Sequence, residues 1–201
     1  QLNYLSKKVF LIAVICLSLL SPQGFFAHLI LKKSNPAKVE WAIVQSNKED
    51  AENLNHIFSD INKPSAGVLA AGAFAYYYEG YSIDLLGLNN VKMARADKIK
   101  KGPKNHASFN KKVFYEQAPD LIISNVSINP TNEISYENFI EIGEWEAQIL
   151  KEIQKDEKFR ELYGNYIIED KKTKFTLKAF IKKKFVKNEL CNNSRYKITL
   201  K

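Results

Sequence analysis

Asp84 and His106 are the two residues of this chain best placed to do chemistry. Asp84 closes the apolar run Tyr81–Leu85 and stands three residues before Gly87. A carboxylate at such a strand end can accept hydrogen bonds from sugar hydroxyls, or it can cap the turn that follows. His106 ends the basic stretch Lys100-Lys101-Gly102-Pro103-Lys104-Asn105-His106. That loop can close over a phosphate or a sugar, or it can carry an ordinary loop histidine. Tyr76, Tyr77, Tyr78 and Tyr81 crowd the same region. Their faces suit the apolar side of a sugar ring, although tyrosine clusters also serve as core and rim.

The remaining candidates are few. His56 adjoins an apolar stripe and reads as packing, and His28 lies in an apolar segment. No HExxH, Walker A, GxSxG or GxGxxG sequence is present. Cys16 and Cys191 are the two cysteines, with neither a CxxC spacing nor a disulfide framework around them. The residues assign no catalytic group and no metal ligand.

These side chains need elements to position them. Val39–Val44 (VEWAIV) reads as a short strand, and Asn47 to Ile61 as an amphipathic helix with the stripe Leu54, Ile57, Phe58 and Ile61. Gly67–Ala71 and Tyr81–Leu85 read as strands. Asn89 and Asn90 cap a short helix through Ala94, and Phe109–Gln117 forms another. Ala118-Pro119-Asp120 launches a third strand, Leu121–Ser124, with Asp120 structural at its entry. Glu144 to Leu162 reads as one helix with the stripe Trp145, Ile149, Ile153 and Phe159. Tyr166–Ile168 and Phe175–Ile181 form an antiparallel hairpin, and Arg195–Leu200 adds a last strand.

The alternation predicts an α/β fold. It is a small parallel or mixed sheet with flanking helices and C-terminal antiparallel strands, preceded by one transmembrane helix. Sites in such sheets lie at the carboxyl ends of strands, here the loops 72–80, 84–90 and 124–132.

The charge is uneven. From Lys171 to Lys201 there are 11 Lys+Arg and one acidic residue, a net of +10, while residues 1–170 hold 19 basic and 21 acidic residues, a net of −2. Lys178, Lys182, Lys183 and Lys184 form the centre of this patch, with Lys174, Lys178 and Lys182 expected on one polar strand face. It suits contact with an anionic glycan or lipid, or it is a solvated strand pair. Nothing resembles a recognition helix or an RNP strand, so nucleic acid is not an expected partner.

At the other end, Val9–Leu31 is a 23-residue run without charge, bracketed by Lys7-Lys8 and Lys32-Lys33. That is long enough to span a bilayer if Pro22 only kinks the helix. A cleaved signal and a buried helix are the competing readings. The expected organisation is a transmembrane helix over residues 1–33 and an extracytoplasmic α/β domain over 34–201.

The run AGAFAYYYEGYSIDLLGLNN (71–90), followed by MARA (93–96), GPKNH (102–106) and APDLII (118–123), resembles a known pattern. It is similar to the C-terminal extracytoplasmic domain of polytopic GT-C-type membrane glycosyltransferases, in particular the mycobacterial terminal arabinofuranosyltransferase family. Asp84, Leu86, Gly87, Leu88, Ala94, His106, Pro119 and Asp120 match in order, over about sixty residues. Asn89-Asn90 stands where Thr-Asp is usual, and Asn105 replaces the glycine before the histidine.

The resemblance implies a bacterial inner-membrane protein with its globular domain outside the cytoplasm, residues 9–31 being the last span of a longer polypeptide. It implies a polyprenyl-phosphate sugar donor and a glycan acceptor, with the catalytic carboxylate in a region this chain lacks. The lobe then binds acceptor without catalysing transfer and without a cofactor of its own, through Asp84, His106, Tyr77 and Tyr78. The alternative is a membrane-tethered module that binds an anionic glycan or lipid through the basic strands.

Overall fold

The computed structural model describes residues 9–14, 16, 36–97, 99–102, 106–130 and 144–200. The chain divides into two compact units, Gln1–Ile43 and Val44–Lys201. In the first, residues 9–14 and Cys16 are helical, and Val9, Phe10, Leu11, Ile12 and Val14 are exposed. Most of the Val9–Leu31 segment expected to span a membrane lies outside the described residues. Among the described residues no helix is long and apolar enough to cross a membrane.

Helix α1, Pro36–Ile57, starts eleven residues earlier than its periodicity suggests. It absorbs Val39–Val44, so the strand expected there is helical. The reason is cooperative. Ala51, Leu54 and Ile57, with Phe58 just beyond, are fully buried and anchor the helix, and propagation outward adds one hydrogen bond per residue. The strand preference of three valines and isoleucines is worth only tenths of a kcal/mol each, about what Ala37, Lys38, Glu40 and Ala42 return in helix propensity. Pro36 is suited to the first helical position.

The second unit continues as β1 (Ala66–Val68), α2 (Ala71–Tyr77), β2 (Ser82–Asp84), α3 (Val91–Arg95), α4 (Lys111–Gln117) and β3 (Leu121–Pro130). There follow α5 (Glu144–Ile149), a 3-10 turn (Ile153–Lys155), α6 (Glu157–Leu162), β4 (Tyr163–Asp170) and β5 (Phe175–Lys182). Helix α7 (Lys183–Phe185), a π turn (Val186–Leu190) and β6 (Tyr196–Leu200) complete the chain. The strands form one six-stranded mixed sheet in the order β2-β1-β3-β5-β4-β6. β2, β1 and β3 are parallel, and the pairs β3/β5, β5/β4 and β4/β6 are antiparallel. This is the mixed α/β sheet with antiparallel C-terminal strands that the pattern predicts.

Alternation along the strands sends side chains to two cores, one on each face. Ala66, Val68, Leu121, Leu177, Ala179 and Ile181 meet α1 and α2. Ile83, Leu85, Ile122 and Phe180 meet α3, α4 and α6, around the ring cluster Phe114, Phe159 and Tyr163.

Two further elements differ from expectation. The third strand runs past Ser124 to Pro130, its register against β5 shifting between Ile122 and Ser127. The expected 144–162 helix is broken. Lys151 and Glu152 adopt positive φ (50° and 52°), and the Glu152 amide donates to the Ala147 carbonyl at 2.7 Å, closing α5. The break lets Leu150 and Ile153 both enter the second core, while Asp156 accepts from Lys111 (2.7 Å) and the Tyr115 hydroxyl (3.2 Å). Trp145, expected in the apolar stripe, is half exposed.

One polar cluster ties the C-terminal strands to α1. Asp170, the last residue of β4, accepts from the Lys172 amide at 3.0 Å, the Thr173 hydroxyl at 2.6 Å and the Arg195 guanidinium through Nε (2.6 Å) and Nη2. Arg195 also reaches Asp60 (2.8 Å), the Ser59 hydroxyl (2.9 Å) and the His56 carbonyl (2.8 Å). Burial penalises the Asp170 charge, but the hydrogen bonds from Arg195, Thr173 and the Lys172 amide outweigh it and hold the carboxyl below the ordinary range.

Candidate functional site

Asp84 is buried, 5% exposed, at the carboxyl end of β2. One carboxylate oxygen accepts from the amides of Leu86 (2.8 Å) and Gly87 (3.0 Å), and the other from the amide of Asn89 (2.6 Å). Of its two open readings, the geometry realises turn capping. The turn needs Gly87 itself: its φ is +84°, and a Cβ there would stand 2.7 Å from the Ala94 backbone nitrogen. The Leu-Gly-Leu stretch therefore splits, with Leu85 and Leu86 inward and Leu88 in solvent.

This turn sets the next residues. Asn90 caps α3 by accepting from the Met93 amide (3.3 Å), and its side-chain NH2 donates to the Asp84 carbonyl (3.0 Å) and the Gln117 amide oxygen (2.9 Å). Asn110 caps α4 in the same way through the Val113 amide (3.1 Å) and donates to Asp97 (2.9 Å). That bond from Asn110 is the main reason the Asp97 carboxyl sits below its usual range. Caps of this kind contribute about 1 kcal/mol each and fix where Gln117, at the far end of α4, meets Asn90.

The result is an open cleft of about 220 Å³ along the edge strand β2. Its walls are Tyr81, Ser82, Asn89, Asn90, Lys92 and Gln117, with Asp84 at its base. The Ser82 hydroxyl oxygen is buried there without a hydrogen-bond partner. Tyr81 is 70% exposed at the mouth. Side-chain amides, a lysine and an aromatic ring form a set that can hydrogen-bond the hydroxyls of a polyol and cover one apolar ring face. The set holds no nucleophile with an adjacent base.

The other expected site residues are dispersed. Tyr78 is buried in the first core; its hydroxyl donates to the Pro64 carbonyl at 2.6 Å, and burial raises its pKa. It belongs to the scaffold. Tyr77 lies on α2 at the rim, its ring edge-on to exposed Tyr76 at 5.0 Å and 4.9 Å from the Lys48 ammonium. His106 stands outside the cleft wall, edge-on to Trp145 at 5.1 Å, with Nδ1 buried and unpartnered. Lys104 and Asn105 of its loop lie outside the described residues.

The four lysines of the basic patch do not share a solvated face. β5 is an interior strand, and Lys178 on it is only 5% exposed, which corrects the expected polar face of Lys174, Lys178 and Lys182. Lys182 donates to the Ala118 carbonyl (3.0 Å) and lies 3.8 Å from Asp120. Lys183 donates to the Arg160 carbonyl (2.6 Å). Lys184 is exposed and lines a second cleft of about 250 Å³ with Asp120, Lys182, Asn188 and Glu189, where acids and bases alternate. Asp120 is structural, as expected: it accepts from the Ser65 hydroxyl (2.7 Å) and amide (3.1 Å), joining the starts of β1 and β3.

Sequence reasoning found Asp84 but not Ser82, Asn89, Asn90 or Gln117 as cleft residues. The asparagines were legible as caps, and a cap is what brings Gln117 to them. Among the described residues no cluster of His, Cys, Asp and Glu could hold a metal ion. No curated protein and no solved structure matches the chain. Residues 51–176, from α1 into β5, match the model of a family described as a domain of unknown function (DUF8728), and the chain belongs to that family.

Proposed function

We propose that this chain contributes the acceptor-binding, non-catalytic lobe of a membrane glycosyltransferase that draws on a polyprenyl-phosphate-linked sugar in cell-envelope glycan assembly. In this reading the lobe lies outside the cytoplasm of a bacterium, tethered by the apolar N-terminal segment, and the glycan acceptor rests in the cleft beside β2. The observation that carries the reading is a cleft lined by the side-chain amides of Asn89, Asn90 and Gln117, with a solvent-facing tyrosine at its mouth. Such a cleft suits hydroxyl-rich, ring-shaped ligands better than ionic or apolar ones. The motif residues Asp84, Gly87 and Ala94 support it, since they build the turn that forms one wall. The basic strands support the alternative less, because Lys182 and Lys183 already donate to backbone carbonyls.

The test is binding of a panel of furanoside and pyranoside oligosaccharides to the full chain in nanodiscs. Tyr81→Ala and Gln117→Ala should each weaken binding roughly tenfold, the equivalent of about 1.4 kcal/mol from a lost stacking face or hydrogen bond. Both side chains are peripheral to the cores, so melting temperatures should stay within a few degrees. Unchanged affinity in both variants would contradict the proposal.

A further inference from the structure

We infer that the first turns of α1 stand in the headgroup layer of a lipid bilayer. Exposure along this helix changes character. From Ala51 onward one side is fully buried and the other polar, the ordinary pattern of a helix on a sheet. Before Gln45, Val39, Trp41, Ile43 and Val44 are all exposed, Trp41 at 66%.

Their positions matter as much as their number. Val39 and Ile43 are one turn apart on one side of the helix, and Trp41 and Val44 occupy the other. Lys38 and Glu40 lie between the two sides. Apolar residues on opposite sides, with charges between them, do not suit a single docking groove; they suit a mixed polar and apolar layer that surrounds the helix.

Lipid fits for two further reasons. The uncharged run Val9–Leu31 precedes the helix, and Lys32, Lys33 and Lys38 supply the charge that attracts anionic headgroups. Tryptophan, with an apolar body and one N–H donor, favours the boundary between hydrocarbon and water. This placement rests on the membrane tether of the proposed function, and the experiment separates the two.

The chain has two tryptophans, so Trp145→Phe leaves Trp41 as the only indole reporter. The full-length variant is incorporated into vesicles of phosphatidylethanolamine and phosphatidylglycerol carrying bromine at shallow or deep acyl positions. Flotation reports whether the chain is held by the vesicles, and tryptophan emission reports where Trp41 sits. The inference expects flotation, a blue shift relative to the urea-unfolded chain, and quenching roughly twofold stronger from shallow than from deep bromines.

Flotation with water-like, unquenched emission overturns the headgroup placement and leaves the tether standing. Strongest quenching from deep bromines also overturns it, by moving Trp41 into the hydrocarbon. A lipid-independent blue shift that grows with protein concentration assigns this surface to a second copy of the chain instead. Failure to float overturns both the placement and the tether.

Discussion

Arg195→Met should lower the stability of the folded unit by about 3–5 kcal/mol, the cost of leaving a buried carboxylate without its partner. For a unit of this size that is a fall of roughly 10 °C or more in melting midpoint, read by circular dichroism. Asp170 is 1% exposed and draws two hydrogen bonds from Arg195, so its charge has nowhere to go when the guanidinium is removed. The pH dependence follows from the sign of the shift. The Asp170 carboxyl is held below its unfolded value near 3.9, so its contribution is complete above that value and disappears as pH falls through the lower folded one. In the variant the stranded carboxylate prefers a proton, and acidification relieves it. The gap between wild type and Arg195→Met should therefore narrow below about pH 5. Adding Asp170→Asn to the variant should restore part of the loss, because an uncharged amide still accepts from the Lys172 amide. A gap that is constant from pH 7 to pH 4 would remove the ion pair from the explanation.

This cluster shows where local sequence stops being informative. Arg195 meets Asp60 and Asp170 from far along the chain, and no spacing rule links them. The stripe Leu54, Ile57 and Phe58, by contrast, is set by helical period alone and packs as expected. So do the Asn90 cap and the strands flanking Asp84, Asp120 and the β4–β5 turn. Val39–Val44 carries strand-forming residues yet is helical, because side-chain preference for strand is weak beside propagation from an anchored helix. The break at Lys151 and Glu152 was hidden because apolar spacing continues across it, Ile149 and Ile153 both being buried. Trp145 looked like core on the same periodicity, and no short-range signal marks it as half exposed. The cleft is an intermediate case. Asp84 and its glycine were legible as a turn, while Ser82 and Gln117 became neighbours only through the caps on α3 and α4.

The second large effect concerns that turn. Asp84→Ala should destabilise the unit by about 3 kcal/mol, since the Leu86 and Gly87 amides lose their acceptor in buried surroundings at roughly 1–3 kcal/mol each. Asn89 is an exposed residue, so losing the bond from its amide adds less. Asp84→Asn keeps one accepting oxygen and should cost less than the alanine variant. The pair also divides the two roles open to this carboxylate. As a turn cap, Asp84 affects ligand binding only in proportion to lost stability, and Asn retains most of both. As a direct ligand to a sugar hydroxyl, Asp84→Asn would abolish binding although most of the stability is kept. Equilibrium denaturation beside oligosaccharide titration of both variants decides between them, and the cap predicts parallel losses.

The proposed function requires above all that a glycan rests in the β2 cleft. Backbone amide shifts of the full chain in nanodiscs, followed as furanoside and pyranoside oligosaccharides are added, test this most directly. Saturable shifts centred on Ser82, Asn89, Asn90 and Gln117 are expected, with the Lys183–Leu190 segment unmoved. Shifts confined to the lysines around Lys184, or none with any oligosaccharide, would contradict it.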